Sequence, residues 1–136
     1  MLEFYHSMDY ANRIIFLIAS MLFIHIIADY LVQNEFMAKF KQRKNWEEYN
    51  TSELYSFDYI AVLLAHSFSW SFLTFFPLLI EFKDAFGYFA IVVINTLIHA
   101  WIDDYKCNKL KINLITDQTL HIAQIMMTIG IGLVIY

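Results

Sequence analysis

What this chain lacks narrows the possibilities first. Its 136 residues include one proline, three glycines and one cysteine. The lone Cys107 excludes an intrachain disulfide. Formal charge is absent over long stretches. Residues 14–32 carry none except Asp29, and residues 59–80, 85–102 and 118–136 carry none at all. A bilayer crossing takes about 20 largely apolar residues rising about 1.5 Å each, so all four blocks qualify. With 60% hydrophobic and 18% aromatic residues, the chain does not read as a soluble domain. Such a domain rarely contains even one helix that is apolar all round. The first block has neither a basic leading region nor a small-x-small cleavage site, so it reads as a span and not as a cleavable signal peptide. No Gly-x-Ser-x-Gly elbow surrounds Ser67, Ser69 or Ser71, which removes the usual setting of a serine nucleophile.

The pattern that remains predicts an all-α, integral membrane four-helix bundle forming a single domain over residues 1–136. Its helices fall at about 14–33, 57–80, 86–105 and 117–136. Four crossings put both termini on one side with the short turn "EFKDAFG", and two longer loops on the other. Lys39, Lys41, Arg43, Lys44, Lys106, Lys109 and Lys111 lie on the two-loop side, against Arg13 and Lys83 on the opposite side. The positive-inside rule therefore assigns the loops to the cytoplasm and both termini to the outside. Within the first loop, "EFMAKFKQRKNW" spaces Phe36, Met37 and Phe40 among basic residues, as in a helix lying on anionic headgroups, although a solvated basic loop fits nearly as well.

The apolar blocks are interrupted at particular places. Helix 1 carries His25 and Asp29, helix 2 His66, helix 3 His99 and Asp103, and helix 4 Asp117 and His121. Three helices thus hold a His/Asp pair spaced i,i+4, which puts both side chains on one face. Helices 1 and 3 read His then Asp toward the loop side; helix 4, running away from it, reads Asp then His. The spatial order is the same in all three, with each Asp near the mouth and each His about 6 Å deeper. Asn95 extends one stripe, Gln124 and Thr128 another, and Gln33 the first. A weak repeat, "IHIIADY" against "IHAWIDDY", suggests two related helical hairpins. His6, in the polar N-terminal segment, falls on the opposite side.

A charged side chain at the centre of a span costs about 2.5–3.5 kcal/mol on insertion scales. Any single His/Asp pair can satisfy itself as structural glue. Seven such residues converging at one end of one bundle favour a functional site. Imidazole with carboxylate suits Zn, Mn or Fe. Two ions about 3.5–4 Å apart sharing a carboxylate would use the set; so would one ion with three ligands, the other groups orienting them or acting as a base. A proton relay or ion path is the competing use, but the outer helix halves ("RIIFLIASMLF", "TIGIGLVIY") offer no polar route.

"HIIADYLVQNEFMAKFK", "LLAHSFSW" and "HAWIDDYK…TDQTLH" together resemble the small bacterial and phage membrane proteins grouped as domain of unknown function 3307. The chain is more distantly similar to predicted membrane-bound metal-dependent hydrolases. These resemblances imply a bacterial inner (cytoplasmic) membrane location and the same His/Asp set as the site.

The combined expectation is a metal-dependent hydrolase of a lipid or lipid-linked ester or phosphoester. His25, His66, His99 and His121 are the expected ligands, Asp29 and Asp117 ligands or bridges, and Asp103 the general base. Lys106 and Lys109 are the expected headgroup contacts. One or two divalent ions are the cofactors. Membrane lipids and a lipid-like substrate are the partners, an oligomer is allowed, and no nucleic acid is expected. The alternatives are a non-enzymatic regulatory or phage-encoded protein with a structural metal, and a proton- or ion-conducting protein. The topology has a direct test. In a Cys107→Ser background, an impermeant thiol reagent on intact cells should label Ser7→Cys and spare Asn50→Cys; the reverse pattern inverts the orientation.

Overall fold

The computed structural model describes Tyr5 and residues 7–49 and 53–135, so His6 and Asn50 lie outside the described residues. Among these residues the chain is helical throughout. We label the helices α1 (Tyr10–Ile27), α2 (Glu35–Phe40), α3 (Arg43–Tyr49), α4 (Asp58–Thr74), α5 (Phe76–Phe82), α6 (Ala85–Cys107) and α7 (Leu114–Ile135). Four stretches are long and apolar enough to cross a membrane: Tyr10–Val32, Glu53–Phe82, Ala85–Cys107 and Leu114–Ile135. This is the membrane four-helix bundle that the apolar blocks predict.

The boundaries differ from the sequence reading for local reasons. α1 starts at Tyr10, four residues before the apolar block, because Asp9 caps it and accepts from the Asn12 backbone N–H at 2.9 Å. Its far end widens into a π turn at Ala28–Val32, closed by Gln33 N–H to Ala28 O at 3.3 Å. Such one-turn widenings recur at functional sites, and this one carries Asp29. The second span is not one straight rod. Pro77 cannot donate a backbone hydrogen bond, so the helix breaks at Phe75 and resumes as α5.

The basic segment read as an interfacial helix or a solvated loop folds as two short helices, α2 and α3, that meet at an elbow. Asn34 caps α2 by accepting from Met37 N–H at 2.8 Å, and Asn108 Oδ1 caps α3 by accepting from Arg43 N–H at 2.7 Å. Trp46 Nε1 donates to Phe40 O at 2.6 Å, satisfying a carbonyl left open at the end of α2. The corner of the elbow is Lys41, whose side chain turns inward to the bundle.

α4 packs on α1 and α6, and α7 packs on α1 and α6, closing a ring of four. The two helices of each predicted hairpin therefore touch. The turn end of the ring is dry: Leu17, Met21, Phe75, Leu78, Tyr88, Val92, Ile125 and Ile129 form its core. Outward-facing residues such as Ile15, Phe23, Leu31, Phe68, Val93, Leu97, Met127 and Val134 stay exposed, which suits hydrocarbon as the solvent. α7 approaches α5 through Gly132, where an added Cβ would lie 2.9 Å from the Phe82 ring. At Gly130 an added Cβ meets nothing within 4 Å. Gly132→Leu should accordingly lower the stability of the detergent-solubilised protein by about 1–3 kcal/mol through overpacking. Gly130→Leu should not, and equal thermal shifts for the two variants would refute this packing.

Candidate metal centre

Above the dry core the four helices turn polar side chains toward one another. α1 contributes His25 and, through its π turn, Asp29; α4 contributes His66 and Trp70; α6 contributes His99 and Asp103; α7 contributes Asp117, Gln118 and His121. All four histidines are buried, as are Asp103 and Asp117. The i,i+4 spacing has the effect anticipated for it. His25 Nδ1 lies 3.9 Å from Asp29 Oδ2, His99 Nε2 4.0 Å from Asp103 Oδ1, and His121 Nε2 3.4 Å from Asp117 Oδ1.

The contacts between helices are more informative. His66 Nε2 is 3.4 Å from His99 Nε2 and 3.4 Å from Asp103 Oδ2. On the other side of the same carboxylate, His121 Nε2 is 3.5 Å from Asp103 Oδ1. Asp29 Oδ1 stands 3.9 Å from His66 Nε2. Donor atoms of Asp29, His66 and His99 all lie within 4.8 Å of one another, and so do those of His99, Asp103 and His121. A tetrahedral ion with bonds of about 2.0–2.1 Å separates its ligands by about 3.3–3.4 Å. Several of these distances match that edge and are long for hydrogen bonds. His99 Nδ1, Asp117 Oδ1 and both ring nitrogens of His121 are buried with no hydrogen-bond partner. Orphaned buried donors and acceptors of this kind are rare and costly, and imidazole with carboxylate is a sound donor set for a divalent ion. The residues fit a metal.

His25 stands apart from both donor groups. Trp70 Nε1 donates to its Nδ1 at 2.9 Å, and an indole N–H can only donate, so the proton of His25 sits on Nε2. That Nε2 contacts Gln118 Oε1 at 3.1 Å, and Gln118 Nε2 in turn donates to Asp29 Oδ2 and Asp117 Oδ2, each at 3.1 Å. Both His25 nitrogens are therefore engaged. Through Gln118 it is linked to the carboxylates of Asp29 and Asp117.

Two lysines close the cluster on the loop side. Lys41 Nζ lies 2.5 Å from Asp103 Oδ2 and 3.4 Å from Gln33 Oε1, with its side chain only 10% exposed. Lys106 Nζ lies 2.6 Å from Asp117 Oδ2. Lys109 turns to Asp104 at 3.1 Å and rests over the Tyr105 ring. Asp103 is thus not an open group at the mouth: it is 2% exposed and sits between His66, His121 and Lys41.

A family model described as "Protein of unknown function (DUF3307)" matches residues 16–134. The chain belongs to this family. No curated protein and no solved structure matches it. The DUF3307 match takes in every residue of the cluster, from His25 to His121, and its description assigns no activity.

Three participants were not given roles by the sequence reading: Trp70, Gln118 and Lys41. Trp70 falls four residues after His66, and Gln118 directly follows Asp117, so each lies in a polar motif already singled out. The interhelical partner is what the spacing does not show. Trp70 stacks on His99 with ring centroids 4.1 Å apart, and His99 stacks on His121 at the same distance. Replacing Trp70 with Phe keeps a ring there but leaves His25 Nδ1 buried and unpaired. Trp70→Phe should cost about 1–3 kcal/mol of stability. A double-mutant cycle with His25→Phe should be strongly non-additive; additive effects would show that the two rings do not depend on each other.

Proposed function

We propose that this protein is a membrane metalloenzyme that hydrolyses an ester or phosphoester of a lipid or lipid-linked substrate. Its centre opens at the loop end of the bundle, which the charge bias places in the cytoplasm. One observation carries the reading: buried donors from three helices stand a ligand–ligand edge apart around one carboxylate. His66 and Asp103 Oδ2 lie on one side and His121 and Asp103 Oδ1 on the other. Asp103 would then be shared by the residues that hold the two ions. His66 and His99 would serve the first position, with Asp29 beside them, and His121 with Asp117 the second.

A divalent ion there would polarise a carbonyl or phosphoryl oxygen and activate water near neutral pH. The chain's own groups do the rest. Trp70, His25 and Gln118 hold the carboxylates in place, and the dry core below Trp70 keeps the chemistry at one face. Of the three cluster carboxylates, Asp29 has the fewest short contacts, its hydrogen bond from Gln118 at 3.1 Å being the closest, so it is the group we assign to accept a proton from water. The partners on this reading are membrane lipids.

A structural reading has one observation in its favour. Lys41 and Lys106 already neutralise two of the three cluster carboxylates, so one charge and not three is left without a lysine. Thermal stability separates the two. Metal that binds only the folded state stabilises by linkage. Chelation should lower the melting temperature of the purified protein, and Zn or Mn should restore it. His99→Ala should abolish that response. If folded protein shown by elemental analysis to be free of metal responds neither to chelator nor to added Zn or Mn, and His99→Ala merely destabilises, the cluster is structural glue.

A further inference from the structure

The two lysines at the mouth are placed oddly for structural counter-ions. Lys41 reaches in from the corner of the α2–α3 elbow, and that corner is fastened at its backbone by Asn108 Nδ2 donating to Lys41 O at 3.2 Å. Lys106 reaches in from the last turn of α6. Each ammonium sits on an oxygen of a carboxylate that the proposed centre uses: Lys41 on Asp103 Oδ2 and Lys106 on Asp117 Oδ2. Asp29, Asp103 and Asp117 bring three negative charges and the lysines two positive ones, so the group carries −3 + 2 = −1 with neutral imidazoles. One divalent ion changes that to +1, and two change it to +3. A buried or half-buried positive cluster draws in an anion.

We propose that metal loading turns this cluster into an anion site in which Lys41 and Lys106 hold a phosphate group. The inference rests on the metal reading above. The metal takes charge from the carboxylates and repels an ammonium bound to the same group. Both lysines then carry donors without a strong acceptor, close to the ion that would polarise the phosphorus–oxygen bond. Before metal binds, those donors are committed to Asp103 and Asp117, so binding is ordered: metal first, phosphate second. The lysine stems are long enough to leave the carboxylates without moving their helices. Lys106, with 31% of its side chain exposed, faces the outside, whereas Lys41 is enclosed. A phosphate would therefore enter on the Lys106 side. A lipid headgroup and free phosphate offer the lysines the same group.

Calorimetry on the full-length protein in detergent tests this in three arms. Zn alone should bind wild type, Lys41→Met and Lys106→Met, and tight Zn binding also shows that the variants are folded. Inorganic phosphate and a short-chain phosphatidic acid are then titrated into Zn-loaded and Zn-free protein. Phosphate binding should require Zn and should weaken at least about tenfold in each lysine variant. Tighter binding of the phosphatidic acid assigns the group to a lipid headgroup, and equal binding assigns it to free phosphate. If Zn binds but phosphate binding is absent, independent of Zn or indifferent to both lysine changes, the anion site is wrong and the metal centre stands. If Zn does not bind, the metal centre fails and this inference with it.

Discussion

A carboxylate with almost no access to water, Asp103, is the constraint around which the rest of the site is arranged. An ion in that position is tolerated only when donors or cations surround it on every side, because its hydration is lost and little replaces it by default. Here groups approach from three directions: Lys41, from the elbow between α2 and α3, by a hydrogen bond, and His66 on α4 and His121 on α7 at 3.4 and 3.5 Å. Each of these elements must then be held at a fixed position relative to α6. That requirement accounts for the capped, cross-braced elbow and for Asn108, which fastens it.

Trp70 lies between the His/Asp cluster and the apolar core. Its indole N–H is spent on His25, and its face is spent on His99. Its edge meets Phe75, which belongs to the dry core. A side chain with an apolar body and one polar handle suits such a boundary. Below it, Leu17, Met21, Leu78, Val92 and Ile129 pack together, and beside them Gln124 Nε2 and Thr128 Oγ1 donate to Asn95 Oδ1.

The four spans and the set of buried polar residues were legible in the sequence because each follows from local rules. Long uncharged blocks need hydrocarbon around them, and an i,i+4 pair must share a helix face whatever the helix packs against. The helix ends were less legible. Asp9 extends α1 through a side-chain cap that hydropathy does not register, and Pro77 divides a block that composition alone reads as continuous.

Roles inside the cluster depended on what crosses from helix to helix. His25 and His99 look alike in their repeated motifs, yet Trp70 and Gln118 engage both nitrogens of His25 while His99 Nδ1 has no partner. Asp103 reads as a residue near the mouth until Lys41, 62 positions away, covers it. By itself, the sequence determined that this chain is a bundle of membrane-spanning helices with histidines and aspartates gathered at one end, since burial and helical periodicity act within each segment. Only the tertiary structure decided which of those residues bring donor atoms together and which are held by neighbours. Ligand geometry is a matter of a few tenths of an ångström between atoms on different helices, and no local rule sets it.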